Sequence, residues 1–285
     1  METKNNFSFY YELSNHVRIP SLAYGTWKLE NNVAETVGTA IDTGYRSIDT
    51  AYSYGNDFYV GKAIKKSGFS REELFITNKV WNSFRGKEST VEAFKKSLRL
   101  MKLNYFDLYL IHWPAPITQE NWAEINLSTW EGMEELYKEG LVRSVGVSNF
   151  KIHHLKKLLD GNISVKPMVN QIELHPGYYQ KDLVDFCKEN NILVEGWSPF
   201  GSGQVLSNSI LVNLSQKYKC TPAQLCLNWA ADKKIIPVAR TQNAERMKEN
   251  LFFPEINLSE EDTLCIDSLS DVGFSGFDAD LSVPE

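Results

Sequence analysis

An α/β fold is expected for this chain: a (β/α)8 TIM barrel with an N-terminal β-hairpin and additional helices near the C-terminus. Three observations predict it. Short apolar runs alternate with amphipathic segments of helical length, the alternation repeats eight times, and glycines stand where helical segments end. Strict alternation of strand and helix favours a parallel sheet, and eight units favour closure of that sheet on itself. The competing arrangement of the same pattern is an open, doubly wound sheet. No linker, low-complexity tract or shift in composition marks a boundary, so residues 1–285 read as one barrel domain.

In chain order, a hairpin is expected from Phe7 to Pro20. The strand-like runs are Leu22–Gly25, Ser47–Thr50, Leu74–Lys79, Asp107–His112, Ser144–Ser148, Met168–Gln171, Leu193–Trp197 and Ile235–Val238. Between them lie Asn32–Thr43, Asp57–Ser67, Lys87–Leu100, Ser128–Glu139, Ile152–Leu159, Lys181–Asn190, Thr221–Lys233 and Asn243–Asn250. Apolar residues there recur three and four apart, as in Val33, Val37, Ala40 and Ile41, so one face of each segment is built to be buried. Gly44, Gly68, Gly140 and Gly161 follow four of these segments as C-terminal caps would, and Thr221-Pro222 opens another with proline at the first helical position.

A net charge of −6, with no basic run longer than a Lys-Lys pair, speaks against nucleic acid or an anionic membrane as partner. The N-terminal Met1-Glu-Thr-Lys-Asn-Asn is not an apolar signal, and no apolar stretch reaches membrane-spanning length. Cys187, Cys220, Cys226 and Cys265 form no C-x-x-C pair and are expected as reduced thiols of a cytoplasmic protein. No metal site is expected, since His153-His154 lacks a third ligand at suitable spacing. No coiled-coil heptad is present, and a monomer or weak dimer is expected.

In a barrel of this kind, functional residues gather at the C-terminal ends of the strands. Asp49, Tyr54, Lys79 and His112 fall there, as do Ser148, Asn149, Gln171 and Trp197. An acid, a phenol, an amine and an imidazole on one rim make a proton-transfer set. Reducing a carbonyl requires hydride at carbon and a proton at oxygen, and a free tyrosine, with a pKa of about 10, is a feeble acid. Lys79 supplies an ammonium that lowers that pKa, Asp49 holds the ammonium charged and oriented, and His112 hydrogen-bonds the carbonyl oxygen. Each residue alone has an ordinary structural reading: Asp49 as a cap, His112 as a core residue, Tyr54 as a surface phenol. The fourfold arrangement on successive units is what carries the reading.

The chain resembles the aldo-keto reductase family over nearly its whole length, and is similar to bacterial-type members such as 2,5-diketogluconate reductases and prostaglandin F synthase-like members. The resemblance rests on Asp49-Thr-Ala-Tyr-Ser-Tyr54-Gly-Asn, Thr77-Asn-Lys79-Val-Trp81, Leu110-Ile-His112-Trp-Pro114, Gly146-Val-Ser-Asn-Phe150 and Asn170-Gln-Ile-Glu173. It implies an NADPH-dependent reductase of aldehydes and ketones with Asp49, Tyr54, Lys79 and His112 as its catalytic tetrad. It further implies that Ser148, Asn149 and Gln171 hold the nicotinamide carboxamide and that Gly25, Thr26 and Trp27 touch the cofactor.

Trp197 stands where the family more often has tyrosine stacked on the nicotinamide; a core tryptophan is the other reading. The small loop from Ser198 through Phe200 and Ser202 to Gly203 suits a pyrophosphate. Arg240, Thr241 and Arg246 suit the adenosine 2′-phosphate, with Arg240-Thr241 replacing the family's usual Lys-Ser, and Glu249 and Asn250 match positions near the adenine. The competing role for Arg246 is pairing with Glu245 or Glu249 on a solvated face. Trp27, Ser53, Trp81, His112 and Trp113 are the implied substrate walls, the three indoles being expected as exposed. The tail after Ser270 is short, so an open site tolerant of varied small carbonyl substrates is expected. The alternative function is a cofactor-binding regulatory protein on the same barrel with no significant turnover. Tyr24-Gly-Thr-Trp-Lys28 satisfies the Y-x-x-x-K spacing of short-chain dehydrogenases, but no glycine fingerprint precedes it.

Overall fold

The computed structural model describes residues 10–281. Two antiparallel strands, β1 (Tyr10–Glu12) and β2 (Arg18–Pro20), form a hairpin outside the main sheet. Residues 7–9, where that hairpin was expected to begin, lie outside the described residues. Eight parallel strands then close a barrel: β3 (Ala23–Gly25), β4 (Ser47–Asp49), β5 (Phe75–Val80), β6 (Phe106–Ile111), β7 (Val142–Ser148), β8 (Val169–Glu173), β9 (Leu193–Trp197) and β10 (Ile236–Ala239). β10 pairs with both β3 and β9, so the sheet has no open edge, and the doubly wound alternative is excluded.

Helices α1 (Val33–Thr43), α2 (Asp57–Lys66), α3 (Lys87–Met101), α4 (Trp122–Lys138), α5 (Ile152–Leu159), α6 (Lys181–Glu189), α7 (Ser209–Lys217), α8 (Pro222–Asp232), α9 (Ala244–Leu251) and α10 (Glu260–Asp267) follow the strands. Each strand lies within two residues of its expected bounds, but α4 begins six residues before the predicted Ser128. The reason is local: Trp122-Ala-Glu-Ile-Asn-Leu carries no glycine or proline to mark a boundary. Asn126 lies inside the helix yet turns its Oδ1 to the Ala115 N–H, 2.8 Å away. Helix α7 has no counterpart among the predicted segments; Asn208 caps it, accepting from the Ile210 and Leu211 N–H groups. Thr221 caps α8 as expected, in a reciprocal box with Gln224. Gly44, Gly68 and Gly140 take positive φ as caps, but Gly161 does not. A Cβ at Gly161 would lie 2.4 Å from Leu127 Cδ2, so close helix packing accounts for that glycine.

The hairpin covers the end of the barrel opposite the functional rim: Asn15 Nδ2 donates to the Arg143 carbonyl at 2.9 Å. At that same end Asp107 is fully buried, bridging Arg71 at 2.6 Å and Arg143 at 2.8 Å. Inside the barrel, Gly146 lets β7 approach β8, since a Cβ there would meet the Val169 carbonyl at 2.5 Å. The described residues include no helix long and apolar enough to cross a membrane.

Candidate active site

Parallel register and the two-residue side-chain period bring the singled-out residues onto the inner face at one end. Asp49 pairs in register with Thr77, so Lys79, two residues on, points inward one level above it. Lys79 pairs with Leu110, which places His112 inward just beyond the end of β6. Ser148, Gln171 and Glu195 follow in register across β7, β8 and β9. Tyr54 lies in a 3-10 turn, Tyr52–Tyr54, after β4, so a loop rather than a strand end delivers the phenol.

Lys79 is fully buried, and its Nζ donates to Asp49 Oδ1 at 2.6 Å and to the Thr50 carbonyl at 3.0 Å. The ammonium lies 5.4 Å from the centre of the Tyr54 ring. The Tyr54 and His112 rings meet edge to face at 5.7 Å, and Trp81 meets His112 likewise at 5.0 Å.

Burial alone would lower the Lys79 ammonium, yet Asp49, Tyr54 and Glu195 hold it above its ordinary value. For Tyr54, burial is the strongest influence; Lys79 pulls the phenol down, Asp49 pushes it up, and the net direction is upward. This corrects the expectation of a net lowering: the amine offsets only part of what burial does. Burial and the Lys79 charge together push His112 well below the usual imidazole range, so it is neutral near pH 7. Its Nδ1 is buried without a hydrogen-bond partner among the described residues.

Next to this group sits a second set of polar side chains. Asn149, in the left-handed region at φ 62°, donates to the His112 carbonyl at 2.9 Å and to Ser148 Oγ at 3.1 Å. Its Oδ1 accepts from Trp197 Nε1 at 2.8 Å, which fixes the indole at the rim rather than in the core. The Ser148 hydroxyl donates to the Gln171 carbonyl at 2.7 Å. Gln171 Nε2 donates both to Asp49 Oδ2, at 2.8 Å, and to Glu195 Oε2, at 2.7 Å. Glu195 was missed by the sequence reading. The signal was present: it stands two residues before Trp197 on the same strand, and the two therefore share a face.

These groups open onto a cavity of about 1270 Å³, beyond the roughly 300–1,000 Å³ of a drug-sized ligand site. Gly25, Trp27, Asp49, Ser53, Tyr54, Trp81, His112, Trp113, Ser148, Asn149, Gln171 and Trp197 line it, as do Ser198, Phe200, Ser202, Arg240, Thr241, Arg246, Glu249 and Asn250. Two expected site residues do not reach it. Lys79 lies behind Asp49, and Thr26 is fully buried, its hydroxyl without a partner among the described residues. Of the three indoles expected at the surface, Trp27 is 42% exposed but Trp113 only 8%. Neither Arg240 nor Arg246 forms an ion pair among the described residues. Glu249 instead accepts from the Thr221 hydroxyl at 2.5 Å, so the pairing of Arg246 with Glu249 is not formed.

The short tail, expected to leave the site open, crosses its mouth. Gly273 passes over Gly201, where a Cβ would lie 2.8 Å from the Gly201 Cα. Phe274 stacks on Tyr178 at 4.4 Å, and the Ser275 N–H and hydroxyl donate to Glu173 at 2.9 and 2.6 Å. Phe277 lines the cavity and meets Trp113 edge to face at 6.0 Å. Lys151 then holds Asp278 at 2.5 Å and Asp280 at 2.6 Å.

The tail also brings Asp280 beside His153 and His154, a third potential metal donor that linear spacing could not reveal. The Lys151 N–H donates to His154 Nδ1 at 3.2 Å, and His153 Nε2 lies 2.8 Å from Asp280 Oδ1. That arrangement suits a latch for the tail, with Lys151 supplying the cation.

Fold and mouth together define a (β/α)8-barrel oxidoreductase, in which a buried carboxylate–ammonium pair backs a phenol and a neutral imidazole. The chain belongs to the aldo/keto reductase family, whose family model matches residues 21–271. It is 44% identical over 261 residues to glyoxal reductase of Bacillus subtilis (strain 168), covering 91% of this chain and 92% of that protein. It is 42% identical over 277 residues to 9,11-endoperoxide prostaglandin H2 reductase of Trypanosoma cruzi (strain CL Brener), covering 95% of each. Among solved structures, an aldo-keto reductase of Bombyx mori in complex with NADP superimposes with a TM-score of 0.84 at 32% identity, over 92% of both chains.

Proposed function

We propose that this chain, acting as one barrel domain, is an NADPH-dependent reductase that converts small aldehydes and ketones to alcohols. The observation that carries the proposal is the buried Lys79–Asp49 pair at 2.6 Å behind Tyr54, with neutral His112 against the phenol. A protein that merely bound a dinucleotide would have no use for a buried ammonium aimed at a tyrosine.

The residues fit the cofactor. The cavity exceeds what a small carbonyl needs, Arg240 and Arg246 stand at it without ion-pair partners among the described residues, and Gln171 turns an amide oxygen toward it. Guanidinium groups match phosphate oxygens bidentately, which supports NADPH over NADH.

When bound, NADPH supplies the hydride that reaches the carbonyl carbon. The protein's own groups act on the oxygen. His112, neutral and walled by Trp81, donates a hydrogen bond that orients and polarises the carbonyl. Tyr54 gives up its proton as negative charge develops there, so one C–H and one O–H bond form and the product is the alcohol. The resulting phenolate is stabilised by the Lys79 ammonium, and Asp49 keeps that ammonium oriented. Because Tyr54 is held above the ordinary phenol range, it stays protonated near neutrality until the carbonyl oxygen calls for the proton.

Trp27, Trp81, Trp113 and Phe277 give the substrate side aromatic walls. Such walls suit an uncharged, compact carbonyl compound. The likeness to a glyoxal reductase supports a dicarbonyl of that size as substrate.

The test is the initial rate of NADPH consumption with glyoxal, with NADH run in parallel, for wild type and Tyr54→Phe. The phenylalanine variant should retain NADPH binding while kcat/KM drops about 10²- to 10⁴-fold, the usual worth of a general acid. Undiminished turnover in Tyr54→Phe would remove the proton role. Tight NADPH binding without turnover by the wild type would leave a regulatory protein.

A further inference from the structure

Glu195 lies in the middle of β9, 1% exposed, in register with Gln171 on one side and Ile236 on the other. A buried carboxylate is costly unless it is hydrogen-bonded, so its position asks for a reason. The Gln171 amide has two N–H groups, and both are taken: one by Asp49 Oδ2 at 2.8 Å, the other by Glu195 Oε2 at 2.7 Å. The Gln171 main chain is held as well, its carbonyl accepting from the Asn149 N–H at 2.9 Å and the Ser148 hydroxyl at 2.7 Å. Turning this amide over would set its oxygen against the Asp49 carboxylate and give up both N–H contacts. The side chain therefore has one orientation, with Oε1 as its only polar atom left for the cavity.

We propose that Glu195 is a positioning residue: together with Asp49 it fixes Gln171 as a hydrogen-bond acceptor, and so selects a primary carboxamide as the group Gln171 receives. This rests on the reading of the cavity as a nicotinamide dinucleotide site. Asp49 also serves Lys79 and takes only one of the two N–H groups, so Glu195 supplies the second of the two acceptors that hold the amide.

The charged groups facing Glu195 are Asp49 and Lys79, with Tyr54 beyond the lysine. Burial, and then Asp49, push Glu195 up to about 7, while Gln171 and Lys79 pull the other way. A carboxyl raised above its ordinary 4.5 contributes stability that is complete below that pH and is lost as pH rises through about 7. Without ligand, Glu195→Gln should therefore melt at a progressively higher temperature than wild type across that window, which confirms that the variant is folded and its site dry.

The test compares binding of NADPH with binding of its 3-acetylpyridine analogue, in which a methyl ketone replaces the carboxamide, by quenching of tryptophan fluorescence in the full chain. Wild type should favour the carboxamide form by about tenfold, the worth of one hydrogen bond in a buried site. Glu195→Gln keeps an acceptor at the same place and should keep the preference. Glu195→Met removes one of the two acceptors, leaves the Gln171 amide held by Asp49 alone and should lower the ratio below that of wild type. Glu195→Ala should do the same and serves if the methionine variant does not fold. An unchanged ratio in both apolar variants would overturn the role of Glu195 alone. No binding of either dinucleotide by wild type would overturn the cofactor reading and this inference with it.

Discussion

At the scale of single residues, the site works by opposing burial with charge. Burial pushes Tyr54 up and would push Lys79 down, and the Asp49 carboxylate keeps the lysine an ammonium. Asp49, Tyr54, Lys79 and His112 were legible in sequence because each stands near the end of a strand-like run, and the barrel topology converts that place into adjacency. Glu195 was missed although it shares a face with Trp197, because its partner is Gln171, on the neighbouring strand, which in turn reaches Asp49 across the barrel. Arg240 and Arg246 allow a residue-scale prediction. Removing a guanidinium that bonds a phosphate costs about 1.5–3 kcal/mol, so Arg246→Ala should raise the Kd for NADPH tenfold or more and leave that for NADH nearly unchanged. Fluorescence titration with both dinucleotides checks this. Equal losses for the two would place Arg246 away from the 2′-phosphate.

At the scale of elements, the tail from Ser270 to Leu281 decides the shape of the mouth. Its residues were in view from the start, but a length of chain says nothing about where it lies. Contacts along its length hold it, among them the Gly273–Gly201 crossing, Phe274 on Tyr178, Ser275 on Glu173, and Lys151 between Asp278 and Asp280. The Lys151 pairs are partly exposed, and such pairs contribute roughly 0.2–1 kcal/mol each. Lys151→Ala should therefore loosen Phe277 without unfolding the barrel. The expected outcome is a KM for the carbonyl substrate raised two- to tenfold, weakened selectivity between small and bulky aldehydes, and an unchanged Kd for NADPH. Steady-state kinetics across an aldehyde series would show it, and an unaltered selectivity would mean that Phe277 does not wall the substrate.

At the scale of the whole molecule, the cavity and the buried Asp107 ion pairs lie at opposite ends of the barrel. The end away from the cavity carries the hairpin and the Asp107 hub, where one buried carboxylate serves Arg71, Arg143 and the Ile76 N–H. Asp107→Ala should lower unfolding stability by about 2–3 kcal/mol, since both arginines can turn toward water once the carboxylate is gone. Affinity for NADPH should stay as in the wild type. Urea unfolding and fluorescence titration separate the two effects, and a parallel loss of both would show that the ends are coupled.

The order of the strands, and of the helices between them other than α7, was legible in the sequence alone, because a side-chain period of two or of 3.6 is a local property of the chain. So was the set of chemical groups on one rim, since every parallel strand ends at the same side. Tertiary structure alone decided which of those groups touch. Closure of β10 onto β3, the grip of Asp49 and Glu195 on Gln171, and the passage of Gly273 over Gly201 each join residues far apart along the chain. Such contacts depend on register and on the space left between packed elements, which no short window of sequence contains.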